Sequence, residues 1–426
     1  MKKILTLLLS FFAMQIHAQD DFVKVKNGQF VINEKAYHYI GTNFWYGMNL
    51  GAFDKPRLIR ELDRLEKIGV KNLRVMALSE GDKDTPWCMQ PTVQSAPGEF
   101  NEELLKGLDF LLVEMQKREM KAVVCLNNFW PWSGGFSQYI KWTKGGSIPF
   151  PPPAENGDWH TYGKYASHFY ENAEAQQLFQ NAIKKVVNRT NSITQKAYKN
   201  DPTIMSWQLA NEPENILKGT QLVTWINTTA KFIKSLDQNH MVTTGSEGYT
   251  PSSNSGTDFE KDHLSEDIDY MTFHIWVQNW GWFDPHNVEG TYDNAVAKAK
   301  QYIQQHIAIG NKLNKPIVLE EFGISRDKDD HSDISTVDIR NQYYATIFNE
   351  LVTAVQKGDN TFVGCNFWAW GGEGRPSAPH SIWKTGDDLI GDPPHEYQGW
   401  YSVYQTDKAT LKIIKSFNKK LKKVAL

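Results

Sequence analysis

Cysteine is scarce in this chain. There are three in 426 residues, an odd number, and no Cys-x-x-Cys pair. Cys125 and Cys365 lie inside apolar runs, where a free thiol packs as a small hydrophobe, and Cys88 lies in a loop. No disulfide framework follows from that count. Also missing are His-x-x-x-His and His-Glu-x-x-His, the spacings by which a helix offers two imidazoles to zinc, so no metal and no cofactor is expected. Neither sign of charge dominates: the net charge is -3 and the pI about 6.5. No stripe of Lys and Arg interleaves with aromatics, which excludes nucleic acid as an expected partner. There is no internal repeat, no low-complexity linker and no appended module. The acidic run at 327–333 lacks the glycine and distal Glu of a calcium loop and reads as solvated.

The N-terminus carries Lys2-Lys3, an apolar stretch from Ile4 to Met14, and Ala18 as a cleavage point with Ile16 two residues before it. That is the layout of an export leader. The stretch is too short to span a membrane, and no Cys follows it to take a lipid. The expected organisation is a signal peptide at 1–18 and one domain at 19–426, secreted or periplasmic, monomeric and without a membrane anchor. Aromatics are abundant, 13% of the chain with 15 Trp. Indole and phenol faces stack on the C–H faces of sugar rings. They also fill cores, which accounts for many of them.

Apolar, β-branched runs alternate with amphipathic segments throughout. The runs fall at 37–45, 72–78, 122–127, 204–209, 241–246, 270–276, 317–321 and 362–368. Helical periodicity covers 56–68, 102–118, 175–198, 221–236, 294–314, 338–357 and 409–423. This alternation predicts an α/β fold, a (β/α)8 barrel, with a hairpin at 22–33 turning on Asn27-Gly28 and closing its base. Three connections are long: 129–174, 277–291 and 371–407. All follow strands, so all belong to the catalytic face of a barrel.

Two of the runs end in acids. Ile204 to Pro213 contains Asn211-Glu212-Pro213, and Pro316 to Gly323 contains Glu320-Glu321-Phe322-Gly323. A carboxylate at the C-terminal end of a barrel strand reads as catalytic. Two facing one cavity are what cleavage of a glycosidic bond requires. Strand alternation sends Glu320 and Glu321 to opposite sides, with Glu320 toward the barrel wall.

With these strands in place the chain resembles glycoside hydrolase family 5, over nearly all of the exported part. The matching segments are Trp-Gln-Leu-Ala-Asn-Glu-Pro at 207–213 and Leu-Glu-Glu-Phe-Gly at 319–323. Its β-mannanase branch is resembled by Gly-Thr-Asn-Phe-Trp-Tyr-Gly-Met-Asn at 41–49 and Asn-Phe-Trp-Ala-Trp-Gly-Gly at 366–372. The resemblance implies Glu212 as acid/base and Glu321 as nucleophile, since the nucleophile precedes the aromatic-Gly pair. It implies that Arg74 holds Glu321 ionised and that Asn211 bonds the sugar 2-hydroxyl. It further implies that His274 touches the acid/base or the sugar. Trp276 stands where Tyr is commoner, and its indole N–H can donate to the nucleophile but cannot accept. Trp368 is the implied platform for the sugar beside the scissile bond, with Trp370 the next aromatic on the same face. Trp45 and Trp282 are further implied contacts, with Trp130, Trp132, Trp142, Trp159 and Trp280 as candidate platforms.

Asn127-Asn128 replaces a common His after the third strand, a pattern that favours mannan over cellulose. Glu214 replaces an Arg that normally touches a leaving-side sugar. Arg375 is a second candidate for the 2-hydroxyl. The resulting expectation is a secreted, retaining endo-β-1,4-mannanase acting on β-mannan polysaccharide or manno-oligosaccharide, with its two carboxyls roughly 5 Å apart. The alternatives are an exo-acting β-mannosidase, an endo-β-1,4-glucanase, and a non-catalytic carbohydrate-binding barrel. Retention of Glu212, Glu321 and Arg74 argues against the last.

Overall fold

A computed structural model describes residues 21–251 and 254–424; the expected leader at 1–18 lies outside the described residues. Eight strands form one sheet: β1 Tyr39–Asn43, β2 Asn72–Met76, β3 Lys121–Cys125, β4 Ile204–Gln208, β5 Met241–Thr243, β6 Met271–Ile275, β7 Ile317–Phe322 and β8 Phe362–Phe367. Neighbours run β5-β4-β3-β2-β1-β8-β7-β6, and a parallel bridge from Thr243 to Tyr270 closes the ring. The (β/α)8 barrel is therefore as expected. Nearly every strand residue is buried, because the sheet is covered on both faces, and this is why the runs read as continuous apolar stretches. All but β7 end sooner than the apolar run that announced them, where the chain leaves for the catalytic-face loops.

The outer layer contains α1 Lys55–Lys67, α2 Glu102–Lys117, α3 Ala173–Val187, α4 Gln221–Leu236, α5 Val288–Leu313, α6 Asp338–Lys357 and α7 Lys408–Val424. Asp54, Asn101, Asn172 and Asn287 cap α1, α2, α3 and α5, each accepting from a backbone N–H of the first turn. Helix α3 stops well short of residue 198. The buried carboxylate of Asp109, on α2, accepts from Arg189 Nε (2.9 Å), Ser192 Oγ (2.7 Å) and Tyr198 Oη (2.6 Å), and these bonds hold the segment off the helical path. Between β5 and β6 the described residues contain only a 3₁₀ turn, Lys261–His263, where a full alternation would place a helix.

The N-terminal hairpin pairs Lys24–Lys26 with Gln29–Ile32. Asn27 and Gly28 have φ of 52° and 70°, the left-handed pair that a two-residue turn needs. Val23 and Phe30 pack into the base of the barrel against Tyr39, Val123, Met205, Met241, Tyr270, Val318 and Val363. All three cysteines are buried free thiols. The loop after β3 adds two helices, Gly135–Lys144 and Trp159–Ser167. The loop after β8 is tied down by Arg326 on Asp407 (2.6 Å) and Arg340 on the Ser402 carbonyl (2.9 Å).

Candidate active site

The C-terminal ends of β2, β4, β6 and β7 converge on one buried cluster. Arg74, from β2, is its hub. Its Nη1 donates to Glu321 Oε1 and to Asn43 Oδ1 (3.1 Å), its Nη2 to Asn211 Oδ1 (2.7 Å), and its Nε to Gln208 Oε1 (2.7 Å). Four acceptors around one guanidinium fix it without rotational slack, and the contact to Glu321 is charge-assisted.

Glu320 does not point to the barrel wall. It is fully buried, its Oε2 accepts from Gln208 Nε2 and lies 3.5 Å from Arg74 Nε. The cause is a bulge: Phe273 of β6 pairs with Leu319, but His274 pairs with Glu321, so Glu320 is the extra residue. A bulge breaks the alternation and re-aims the side chains beyond it. Both acids therefore reach the same guanidinium.

Glu212 follows β4 with a φ of +48°, left-handed for a residue other than glycine, a strained conformation that surrounding structure must hold in place. The holding bonds run from Asn211 N to Asn127 O (2.8 Å) and from Glu212 N to Gly245 O (2.9 Å). Its Oε1 accepts from His274 Nδ1 (2.6 Å) and Trp276 Nε1 (3.4 Å), and its Oε2 from Trp130 Nε1. The Trp276 indole thus serves the acid of β4 and not that of β7. His274 Nδ1 also lies 3.4 Å from Glu321 Oε2. One oxygen each of Glu212 and Glu321, with a His274 nitrogen, fall within 4.8 Å of one another. These are metal-ligand types, but the atoms are already committed: His274 Nδ1 bonds to Glu212, and Arg74 covers Glu321.

Their surroundings push the two acids in opposite directions. Burial raises the Glu321 carboxyl well above its usual value against the pull of Arg74. Burial acts the same way on Glu212, but the His274 and Trp130 donors overcome it and leave that carboxyl lowered. Burial takes His274 down to about 4, so the ring is neutral and a donor at Nδ1.

Above the pair lies a cavity of about 680 Å³, within the size range of small-ligand sites. Glu212, Glu321, Asn211, Trp276 and Trp368 line it, with Trp130, Trp132, Trp159 and Trp280 of the expected platforms. Arg74 and His274 are buried beneath the acids they hold.

The other expected contacts lie elsewhere. Trp370 is fully buried with its indole N–H on Glu61 of α1 (3.1 Å), so neither face is free for a sugar. Trp45 donates to the Gly391 carbonyl (2.9 Å) and packs on Trp132, which anchors the loop after β8. Trp282 packs against Trp280 and Tyr302 behind the cavity wall. Asn127 is 1% exposed, its side-chain oxygen taken by the Asn128 N–H. Asn128 is spent on Ser133, the Trp130 N–H and Asn211. Both asparagines shape the site from below. Arg375 pairs with Asp333 and lies over Tyr404, remote from the acids.

Sequence reasoning missed Glu247, Asn279, His395 and Glu396, which all line the cavity. Glu247 carried the same signal as Glu212 and Glu321, an acid just past an apolar run. Asn279, His395 and Glu396 sit in aperiodic loops and carried none.

The GH family 5 beta-mannosidase-like family matches residues 20–425. The chain belongs to glycoside hydrolase family 5. A glycoside hydrolase family 5 mannosidase from Rhizomucor miehei is 37% identical and superposes with a TM-score of 0.88, over 96% of this chain and 99% of that one. A variant of that enzyme was solved with mannosyl-fructose. Mannan endo-1,4-beta-mannosidase 1 of Solanum lycopersicum is 30% identical over 379 residues, covering 85% of this chain and 86% of its own. An endo-1,4-beta-mannanase from Rhizomucor miehei shares the fold at 22% identity and a TM-score of 0.69, over 94% of this chain and 99% of that one. This protein is thus a glycoside hydrolase of the mannanase and mannosidase branch.

Proposed function

We propose that the protein is a retaining β-mannosidase that works from the ends of short β-1,4-linked manno-oligosaccharides. Glu321 is the nucleophile and Glu212 the acid/base. Retention rests on the carboxyl separation: oxygens within 4.8 Å leave no room for a water between the second carboxylate and the anomeric carbon, as inversion needs.

Chain-end action rests on where the cavity is walled. Its lining comes from the strand ends and loops of β3 to β8, with nothing from the loops after β1 and β2. On that side the loops after β3 and β8 meet: Trp159 lies edge-on to His395 at 5.9 Å, and Trp132 touches Trp368 at 6.4 Å. Behind them Trp45 pins Gly391. A polymer threading the site needs a groove open at both ends, and on this reading the joined loops bar its way beyond the Trp368 platform. The contact between the loops is the single observation that carries the reading. The names of the 28–30% identical plant relatives favour a second reading, internal cleavage of mannan.

The chemistry follows from the pair. A glycosidic oxygen only accepts hydrogen bonds, so its approach favours a protonated Glu212. The electropositive anomeric carbon favours an ionised Glu321, already paired with Arg74. The reactive state is thus the one with Glu212 protonated and Glu321 ionised. Glu321 then attacks the anomeric carbon, Glu212 protonates the leaving oxygen, and Glu212 next deprotonates the water that releases mannose. Asn211, oriented by Arg74 and Asn128, is the expected partner of the sugar 2-hydroxyl, and a site built on such a bond rejects the equatorial epimer, glucose.

Mannohexaose labelled at its reducing end tests the mode of action. Chain-end action releases mannose singly and leaves labelled pentaose, then tetraose. An early mixture of labelled dimers and trimers would favour internal cleavage. The export reading is tested separately by the N-terminus of the mature protein, expected at Gln19.

A further inference from the structure

Around Glu212 the cavity is carboxyl-rich. Glu212, Glu214, Glu247, Glu321 and Glu396 all line it, and no Lys or Arg does among the described residues. His395, lowered to about 3 by burial, adds no positive charge. Glu214 is the residue at which the family's usual Arg is replaced. It is 5% exposed, and its carboxyl has no hydrogen-bond partner among the described residues, yet it lines the cavity. A buried carboxyl is normally satisfied by the protein. One left open toward a cavity points to a donor arriving with the ligand. Glu247, 7% exposed and bonded to the Thr250 hydroxyl, stands beside it on the loop after β5.

We propose that Glu214 and Glu247 form a leaving-side subsite that prefers an ammonium-bearing sugar or aminopolyol over a neutral one and rejects an anionic one. The proposal rests on the β-mannosidase reading, which puts the glycone on Trp368 and the leaving group past Glu212. Burial, with the charge of Glu212 adding to it, raises the Glu214 carboxyl to about 8. Like charges and desolvation make these acids hold protons when the site is empty. An entering ammonium supplies what they lack and lets Glu214 ionise against it. A carboxylate-bearing sugar meets the charge of Glu212, whose carboxyl is lowered, and no Lys or Arg in the lining, where His160 is the other imidazole.

The test separates the leaving side from the glycone side. The enzyme is inactivated with 2-deoxy-2-fluoro-β-mannosyl fluoride, so that the glycone site is filled covalently, and freed of excess reagent. Recovery of activity is then followed with mannosamine, mannose or mannuronate as acceptor near pH 6. A charge-assisted bond predicts reactivation by mannosamine about tenfold more efficient than by mannose, with mannuronate slower than mannose by a similar factor. In Glu214→Gln, which keeps shape and loses charge, the three acceptors should fall within about threefold of one another. Glu247→Gln should narrow the spread less. An unchanged spread in Glu214→Gln, or mannuronate equal to mannose in the unsubstituted enzyme, overturns the proposal. If the fluoro-sugar fails to label, the mannosidase reading fails. The subsite is then read by titrating the same sugars onto the free enzyme, where an unchanged amine preference in Glu214→Gln overturns it and a lost one supports it.

Discussion

At the N-terminal ends of the barrel strands the interior is filled by Tyr39, Val123, Met205, Met241, Tyr270, Val318 and Val363, plugged from below by Val23 and Phe30. At the C-terminal ends the same strands carry Arg74, Gln208, His274, Glu320 and Glu321, all buried. The backbone is continuous between the two halves and its register shifts at both ends, at Ala122/Val123 and Ile317/Val318 in the base and at Phe273/His274 in the mouth, so the difference lies in the side chains. The base is filled chiefly by apolar side chains, whose contacts are non-directional. The mouth breaks alternation between β6 and β7, and each of its groups has a specific partner. The base should therefore tolerate change in proportion to buried area, whereas the mouth should respond to the loss of single atoms.

The largest effect is expected from Glu321→Ala, with kcat lower by on the order of 10⁴-fold or more and folding retained. Glu212→Ala should lower kcat by about 10²–10⁴-fold on oligosaccharides and much less on an aryl mannoside whose leaving group needs no proton. Steady-state kinetics on both substrates checks this; equal losses would remove Glu212 from the acid role.

Phe30→Ala addresses the opposite end. Truncating a fully buried aromatic should cost about 3–5 kcal/mol in urea unfolding. Turnover per folded molecule should not change, because Phe30 lies at the far end of the barrel from the acids. A large fall in turnover would mean that the two ends are not independent.

Trp130→Phe is the finest probe. It keeps an aromatic ring in the cavity and removes the N–H donated to Glu212. A donor stabilises the ionised carboxyl, so its loss should raise the Glu212 carboxyl and move the alkaline limb of the kcat profile to higher pH. The change in rate should be about five- to tenfold. A limb that moves to lower pH would place the indole bond on the wrong group.

The contrast between the ends also explains what could be read in the sequence. The eight strands were legible because burial on both faces leaves long apolar runs. Glu212 and Glu321 were legible because strand ends are marked by the runs themselves, and Arg74 through the resemblance to the family. Glu320 was misdirected because alternation holds only without a bulge, and no local residue signals one. Trp45 and Trp370 lie two residues past Asn43 and Trp368, beyond the barrel strands, and what covers them is set by Gly391 and Glu61, distant in sequence. The meeting of Trp159 with His395 was not legible, since the two come from long connections far apart in sequence.

The stereochemical course tests the central claim most directly, that the close pair of Glu212 and Glu321 cleaves by double displacement. Proton NMR of the first mannose released from an aryl β-mannoside, recorded before mutarotation, reads the configuration of the new anomeric centre. Double displacement requires the β-anomer to appear first and the α-anomer to grow in later. Initial release of the α-anomer would mean a single displacement by water, and the assignment of Glu321 as nucleophile would be wrong.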